Sequence, residues 1–595
     1  MAKMFLFKEQ YYKIWVCFLL AVVFCWPILL NLGSLGTGDW DQVFFYHEAA
    51  QVSFYHYHQL PLWNPWYNGG VSIAGNPQSA FFSPLSVFTS MYGVVVGMQF
   101  GIVFCLFIGL LGMFLLSRYL GLRPVTSLLA AVIFVFNGAL TLHLAAGHLH
   151  FLPVVYLPFV LLFLLKSKSS IRYLPAASLF LALMFYQGGT YVVIFSIISL
   201  LIYALIDSVR GRNIGMLWRF VVFFIMAFLL AGFKTFPVAD YISHFQRLTG
   251  SGWALSFSYM KSIFLEQPGL MIGTCFRGFG GAGWWEMGAY VGLIPVILFM
   301  SAVRLFRTQT VLLLTGIIMF LISLGNFAPL SPWSLLHHMP PFNNMVVASR
   351  AMIIAIFYFA LLSGFVIEKV YAQLGWPLLK RWLPFIILGL VLVDLVMVNS
   401  PVFREAFPGK YILSSVASER CGVGLFKDVP FVQHKVSSNE KFSLGAWSAM
   451  HLAMLHNQGT LNGYESIPVT AFPAAEGEAA YRGEQYLLGE YGQARLHAWS
   501  PNRIVIDIKV LKNDILIVNQ NYEKGWHSSA GPVMAHDGLM SVVVNPSVRQ
   551  VVFWYFPFSL VLGWFAVSIG LVLAIVIQVS GKVNTPIGQE ERRVQ

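Results

Sequence analysis

The chain has 595 residues, of which 57% are apolar, 16% aromatic and only 10% charged. A soluble protein carries about a quarter charged residues, so this composition excludes a soluble enzyme and defines a polytopic membrane protein. The 37 Lys and Arg outnumber the 25 Asp and Glu to give a net +12, which basic cytoplasmic loops account for, and nucleic acid is not expected as a partner.

Lys3, Lys8 and Lys13 precede a first apolar run without a small-residue cleavage site, which reads as an uncleaved first helix. Cys17, Cys25, Cys105, Cys275 and Cys421 form no CxxC pair, so neither a zinc site nor a disulfide framework is expected. About twelve segments approach the roughly 20 apolar residues that a span needs. They lie near 14–32, 94–116, 124–142, 151–165, 173–187, 190–206, 218–234, 287–303, 310–325, 350–367, 383–399 and 553–578. With the N-terminus cytoplasmic, Arg118 and Arg123, Lys166 to Arg172, Arg210 to Arg219, Arg304 and Arg307, Lys369 to Arg381 and Lys582 to Arg593 all fall on one side. The positive-inside rule makes that side cytoplasmic and places both termini there.

The opposite side receives the long loops 33–93 and 235–286, a shorter loop 326–349, and a polar segment of one domain's length at 400–552. Ile504, Ile506, Ile508 and Val510 alternate, and DILIVNQ (514–520) and MSVVVNP (540–546) are further strand-like runs. The 400–552 segment is therefore expected to be a β-rich domain, with aromatics such as Trp526, Tyr522 and Tyr464 in its core or against sugar rings. The expected organisation is a helical membrane domain over 1–399, this domain, a final span over 553–578 and a cytoplasmic tail over 579–595.

The 33–93 loop opens with GTGDWDQVFFYHEAA, which sets Asp39, Asp41 and Glu48 just past the first span. Residues 42–58 have helical character and an aromatic face suited to the membrane interface. Acids at a membrane edge default to function, although Asp ahead of a helix also serves as a cap. Glu48 lies within reach of the space around Asp41. Glu286 at a helix start could simply complement the dipole. Cations that break the positive-inside trend are Lys234, Arg247, Lys261, Arg277 and Arg350, and a guanidinium fork suits phosphate oxygens, as it also suits interfacial snorkelling. His143, His148 and His150 crowd one turn, where a metal or plain hydrogen bonding fits. Asp394, inside a helix, needs a polar partner.

The order GDWDQ, PLWNPWYNGG (61–70), NPQSAFFSPL, then AGHLHFLPVVYLP (146–158), YQGG, GWWEMGAYVGLIPV (283–296), VASRAM (347–352), NGYESIP and NYEKGWHSSAGPVMAHDG resembles the YfhO family of bacterial membrane proteins. That family belongs to the GT-C superfamily of glycosyltransferases that use lipid-phosphate sugars. The resemblance covers most of the chain as scattered motifs. It implies an α-helical polytopic GT-C-like membrane domain with a C-terminal β-rich extracytoplasmic domain before the last helix, in the bacterial cytoplasmic membrane. It implies a polyprenyl-phosphate sugar donor and a glycan, lipid or polymer acceptor. Asp39, or Asp41, would be the general base, with Gln42, Glu48, Arg277, Glu286 and Arg350 at the substrates. Where relatives carry one acid, Asp41 here stands between Asp39 and Gln42, which leaves the choice between them open. No motif demands a cofactor, and a divalent metal is left open. A transporter or lipid-linked-saccharide flippase of the same helix count is the competing reading, and a non-enzymatic envelope assembly protein the third. Against transport, the acids and the Gly/Pro clusters concentrate in outer loops rather than at mid-membrane.

Overall fold

A computed structural model describes residues 2–243, 254–269, 283–409, 426–435, 449–463, 469–489 and 491–583. The described chain is mostly helical. Among the described residues, seven helices are long and apolar enough to cross a membrane, among them Val94–Tyr119, Pro124–Ala145, Ala348–Gln373 and Phe558–Ser580. An eighth is counted if Gly215–Leu230 and Gly232–Ser243, bent by 82° at their junction, form one broken span. This is fewer than the twelve or so expected. The regions expected to span at 173–187, 287–303 and 310–325 instead carry apolar helices of only 10–17 residues, such as Thr310–Ser323, and the first apolar run belongs to the helix Ala2–Phe24. Pro124–Ala145 is the most enclosed, with 89% of its apolar window buried, whereas Phe558–Ser580 has 22% buried and faces outward.

The basic connections meet at one end of the bundle. Arg210 Nη2 donates to the Arg307 carbonyl (2.9 Å), Lys369 Nζ to that of Arg304 (2.9 Å) and Arg219 Nε to that of Ser167 (3.1 Å). Arg123 pairs with Glu368 at 2.8 Å and lies over the Tyr371 ring. These cations are thus satisfied by backbone carbonyls and one carboxylate beside apolar helix ends.

At the other end sits a β sandwich. One sheet combines Met534–His536, Leu539–Val544, Asp514–Asn521 and Gln485–Leu487; the other combines Gly492–Ser500, Arg503–Val510, Gln550–Tyr555 and Trp526–Ser528. The alternating Ile504, Ile506, Ile508 and Val510 all enter its core, as does Trp526. Tyr464 lies outside the described residues. Gln550–Tyr555 is a strand paired with Arg503–Val510, so the last helix begins at Phe558 and not at 553. The apolar run VVFWYF carries hydropathy across that junction, which hides the boundary.

The 33–93 loop is built into this domain. Leu62, Trp63 and Ala74 belong to the sandwich core, and Trp66, Tyr67 and Val71 share a second cluster with Phe426, Phe431 and Met454. Trp63 Nε1 donates to Gln520 Oε1 (2.9 Å) and Trp66 Nε1 to Asn457 Oδ1 (2.8 Å). Asn521 Nδ2 donates to the carbonyls of Asn68 (2.7 Å) and Gly70 (3.1 Å). Lys234 Nζ, buried at the 82° bend, holds the same loop through the carbonyls of Asn76 (2.5 Å) and Ser79 (2.7 Å). Removing a buried Trp costs about 3–5 kcal/mol through lost burial and an unfilled cavity. Trp63→Ala is therefore expected to lower stability by about that much, whereas Trp554→Ala, at a half-exposed ring, stays within about 1 kcal/mol. Thermal melts of the two variants in lipid check this.

Candidate functional site

The helix Trp40–Gln51 follows directly from Asp39, and all but one of its residues are buried. The expected interfacial helix is thus an interior one. It packs against the short helix Ala449–Leu455 of the C-terminal domain and then widens into a π-helical turn over Val52–His56.

Asp39 stands at the N-cap position, yet its side chain makes no capping hydrogen bond. The carboxylate turns instead to His148, whose Nε2 lies 3.2 Å from Asp39 Oδ2. Two glycines permit the approach. Gly38 (φ +70°) and Gly147 (φ +91°) both lie in left-handed conformation. A Cβ on Gly38 would lie 2.6 Å from the Ala146 carbonyl oxygen, and one on Gly147 2.5 Å from the Trp40 nitrogen. The Asp39 N–H donates to the Ala146 carbonyl (2.9 Å), locking the two turns together. Left-handed geometry plus missing space make glycine the fitting residue at both positions.

His148 Nδ1 meets His143 Nδ1 at 2.9 Å. His143 stacks on Phe151 with centroids 3.6 Å apart. Arg350 lies 5.6 Å from the Phe151 ring centroid and 4.3 Å from that of Tyr191. Arg350 forms a bidentate pair with Glu286: Nε to Oε2 at 2.8 Å, and Nη2 to Oε1. Burial alone would raise the Glu286 pKa, but the Arg350 charge and hydrogen bonds hold it below the usual carboxylate value. The Ser349 hydroxyl donates to the Glu286 carbonyl. Glu286 is therefore the anchor for Arg350 rather than a dipole-complementing cap. Among the described residues, Arg350 Nη1 has no hydrogen-bond partner.

Asp41 faces the other way. It is 1% exposed and accepts the backbone N–H groups of Met450 (3.2 Å) and His451 (3.0 Å), at the start of Ala449–Leu455. Glu48 Oε2 lies 3.2 Å from His451 Nε2. These two acids share a space, as their spacing suggests, but it is the docking surface for the C-terminal domain. Gln42 Nε2 donates to the Tyr46 hydroxyl (3.0 Å), also in the interior. Asp394 accepts the Tyr290 hydroxyl at 2.8 Å, the polar partner expected for an acid inside an apolar helix. Lys261 is exposed, and Arg247 and Arg277 lie outside the described residues.

Side-chain exposure separates the four acids: Asp39 is 40% exposed, Glu286 8% and Glu48 4%, with Asp41 sealed. Among the described residues, no three His, Cys, Asp or Glu side chains group as metal ligands, and the histidine turn carries the contacts of His148 with Asp39 and His143. Sequence reasoning missed His451 and the pairing of His148 with Asp39. The Gly-His step of AGHLH was the available signal for the latter.

No protein-family model and no curated protein matches the chain. Among solved structures it is similar to the arabinofuranosyltransferase AftD from mycobacteria, at 14% identity and TM-score 0.43, over 67% of this chain and 27% of that one. The chain thus spans about a quarter of AftD's length. It is also similar to ArnT from Cupriavidus metallidurans bound to undecaprenyl phosphate, at 11% identity and TM-score 0.41, over 76% of this chain and 86% of that one. At TM-scores below 0.5, neither similarity defines a shared fold.

Two outcomes distinguish the aspartates. Burial, opposed by the two N–H donors, pushes the Asp41 pKa up to about 6 from 3.8. Folded Asp41 thus holds its proton more tightly than unfolded Asp41. Its contribution to stability is present below about pH 4 and is lost as pH rises through about 6. The melting-temperature difference between wild type and Asp41→Asn should accordingly change between about pH 4 and pH 6.5, and a flat difference would contradict the assignment. Asp39→Asn should alter stability by no more than about 1 kcal/mol. Glu286→Gln, which leaves Arg350 buried and unpaired, should cost about 3–5 kcal/mol.

Proposed function

We propose that the protein is a membrane glycosyltransferase, moving a sugar from a polyprenyl-phosphate donor to a cell-envelope acceptor on the extracytoplasmic face of the bacterial cytoplasmic membrane. The observation that carries this is the open carboxylate of Asp39. The other three acids of the region are sealed into structural contacts, which leaves Asp39 as the base and gives Asp41 a docking role. The motif resemblance that starts at GDWDQ supplies the reaction class.

In this mechanism Asp39 takes the proton of the acceptor hydroxyl as its oxygen attacks the anomeric carbon. The bond from that carbon to the phosphate oxygen breaks, and the electron pair leaves with the lipid phosphate. Arg350, held by Glu286 and stacked on Tyr191, presents Nη1 to the growing negative charge. A fixed cation needs little reorganisation as charge develops, so its buried ion pair serves positioning. Glu48 and Gln42 act on the fold around the site and not on substrate. The position of these groups at the bundle end opposite the basic loops favours an enzyme working at the membrane edge over a transporter with a mid-membrane site.

The test is sugar transfer by purified protein in lipid, with a panel of undecaprenyl-phosphate pentoses and hexoses as donors and envelope glycopolymers as acceptors. Asp39→Asn is expected to lose at least about 10²-fold in kcat, the scale of general-base catalysis. Arg350→Lys, which removes the fork, is expected to lose about 10-fold or more through weaker stabilisation of the leaving phosphate. Full transfer by Asp39→Asn would overturn the assignment.

A further inference from the structure

The histidine turn has more order than a solvated loop needs. His148 is fixed from three directions. Its backbone N–H donates to the His143 carbonyl (2.9 Å), and the preceding Gly147 has no room for a side chain against Asp39 and Trp40. Its ring then spans Asp39 on one nitrogen and His143 on the other. His143 is itself immobilised by its stack on Phe151 and by the helix Gly138–Ala145, which Asn137 caps through Leu140 N–H at 3.0 Å. The charged and titratable groups around His148 are Asp39, His143, His150, Glu286 and Arg350.

The Nδ1 to Nδ1 contact constrains protons. One nitrogen must donate and the other accept. An ionised Asp39 accepts, so the Nε2 of His148 carries hydrogen. Neutral His148 then has a bare Nδ1, and His143 must donate its own Nδ1–H.

We propose that His148 is the positioning residue for Asp39 and that His143 sets the tautomer of His148. The assignment rests on the reading of Asp39 as the base. His148 Nε2–H ties up Oδ2 and fixes the carboxylate plane, leaving Oδ1 free toward the acceptor. As the glycosidic bond forms and the anomeric carbon–phosphate oxygen bond breaks, the acceptor proton goes to Oδ1. His148 keeps its own proton throughout, and water removes the transferred proton from Asp39 after the product leaves. The arrangement has the logic of an oriented base, with the histidine in the orienting place.

Two measurements on the full-length protein in lipid bilayers test this. The first is nitrogen-15 NMR of ring-labelled histidine, assigned by difference with His148→Gln and His143→Gln. Neutral His148 protonated at Nε2 and His143 protonated at Nδ1 are expected, with the His148 signals shifting in Asp39→Asn. A His148 bare at Nε2, or unchanged in Asp39→Asn, overturns the proposal without reference to any substrate. The second is transfer from the undecaprenyl-phosphate sugar panel. His148→Ala should lower kcat about 100-fold with KM within about twofold, while His148→Gln, which keeps an N–H donor, should recover to within about tenfold of wild type. A folded His148→Ala with wild-type kcat overturns the proposal. If His148→Ala does not fold, a His148→Gln as inactive as Asp39→Asn does so instead. A wild type silent on the whole panel defeats the transferase reading, and the NMR result then decides the histidine pair alone.

Discussion

One buried helix, Trp40–Gln51, lies between the apolar bundle and the C-terminal domain, and its N-cap and first turn carry two aspartates, Asp39 and Asp41, that face opposite partners. Residues two apart on a helix do not share a face. Asp39, at the helix start, is drawn to the bundle by the Gly38 and Gly147 turns. Asp41 is drawn to the start of Ala449–Leu455, where free N–H groups favour an anion. The same two-residue spacing thus gives one acid access to solvent and seals the other. Were the C-terminal domain absent, the N–H partners of Asp41 would go with it.

Around that helix the polar groups are arranged to be rigid. A buried ion pair such as Glu286–Arg350 costs desolvation that its attraction only partly offsets, so it adds little stability. What it adds is a guanidinium with a single orientation between Phe151 and Tyr191. The His451–Glu48 contact and the hydrogen bonds from Asn521, Trp63 and Trp66 do the same for the domain interface. Lys234 holds the loop between them from the bundle side. The geometry of the proposed site is then inherited from packing distributed over both halves of the chain.

Much of this was legible in the sequence because it is local. Period-two alternation at Ile504 to Val510 marked a strand, and basic clusters marked loops that do meet on one end. Asp394 announced a polar partner, which is Tyr290. The rest depends on contacts between residues roughly 400 positions apart, such as Trp63 with Gln520 and Asp41 with His451, and no periodicity encodes these. The expected count of about twelve spans is not confirmed, for a related reason. Hydropathy does not mark the chain breaks at positions such as Gln309 and Leu324, which leave Thr310–Ser323 short. The role of Asp41 was hidden because a sealed acid and an open one look alike in a motif, and only burial distinguishes them.

The most direct measurement of the central claim is a cryo-electron microscopy structure of the protein in lipid nanodiscs with undecaprenyl phosphate. Asp39 as base and Arg350 as phosphate contact require the lipid phosphate beside Arg350, within a sugar's width of the Asp39 carboxylate. Lipid phosphate held at mid-membrane between the spans, with Asp39 remote from it, would contradict the account and favour transport.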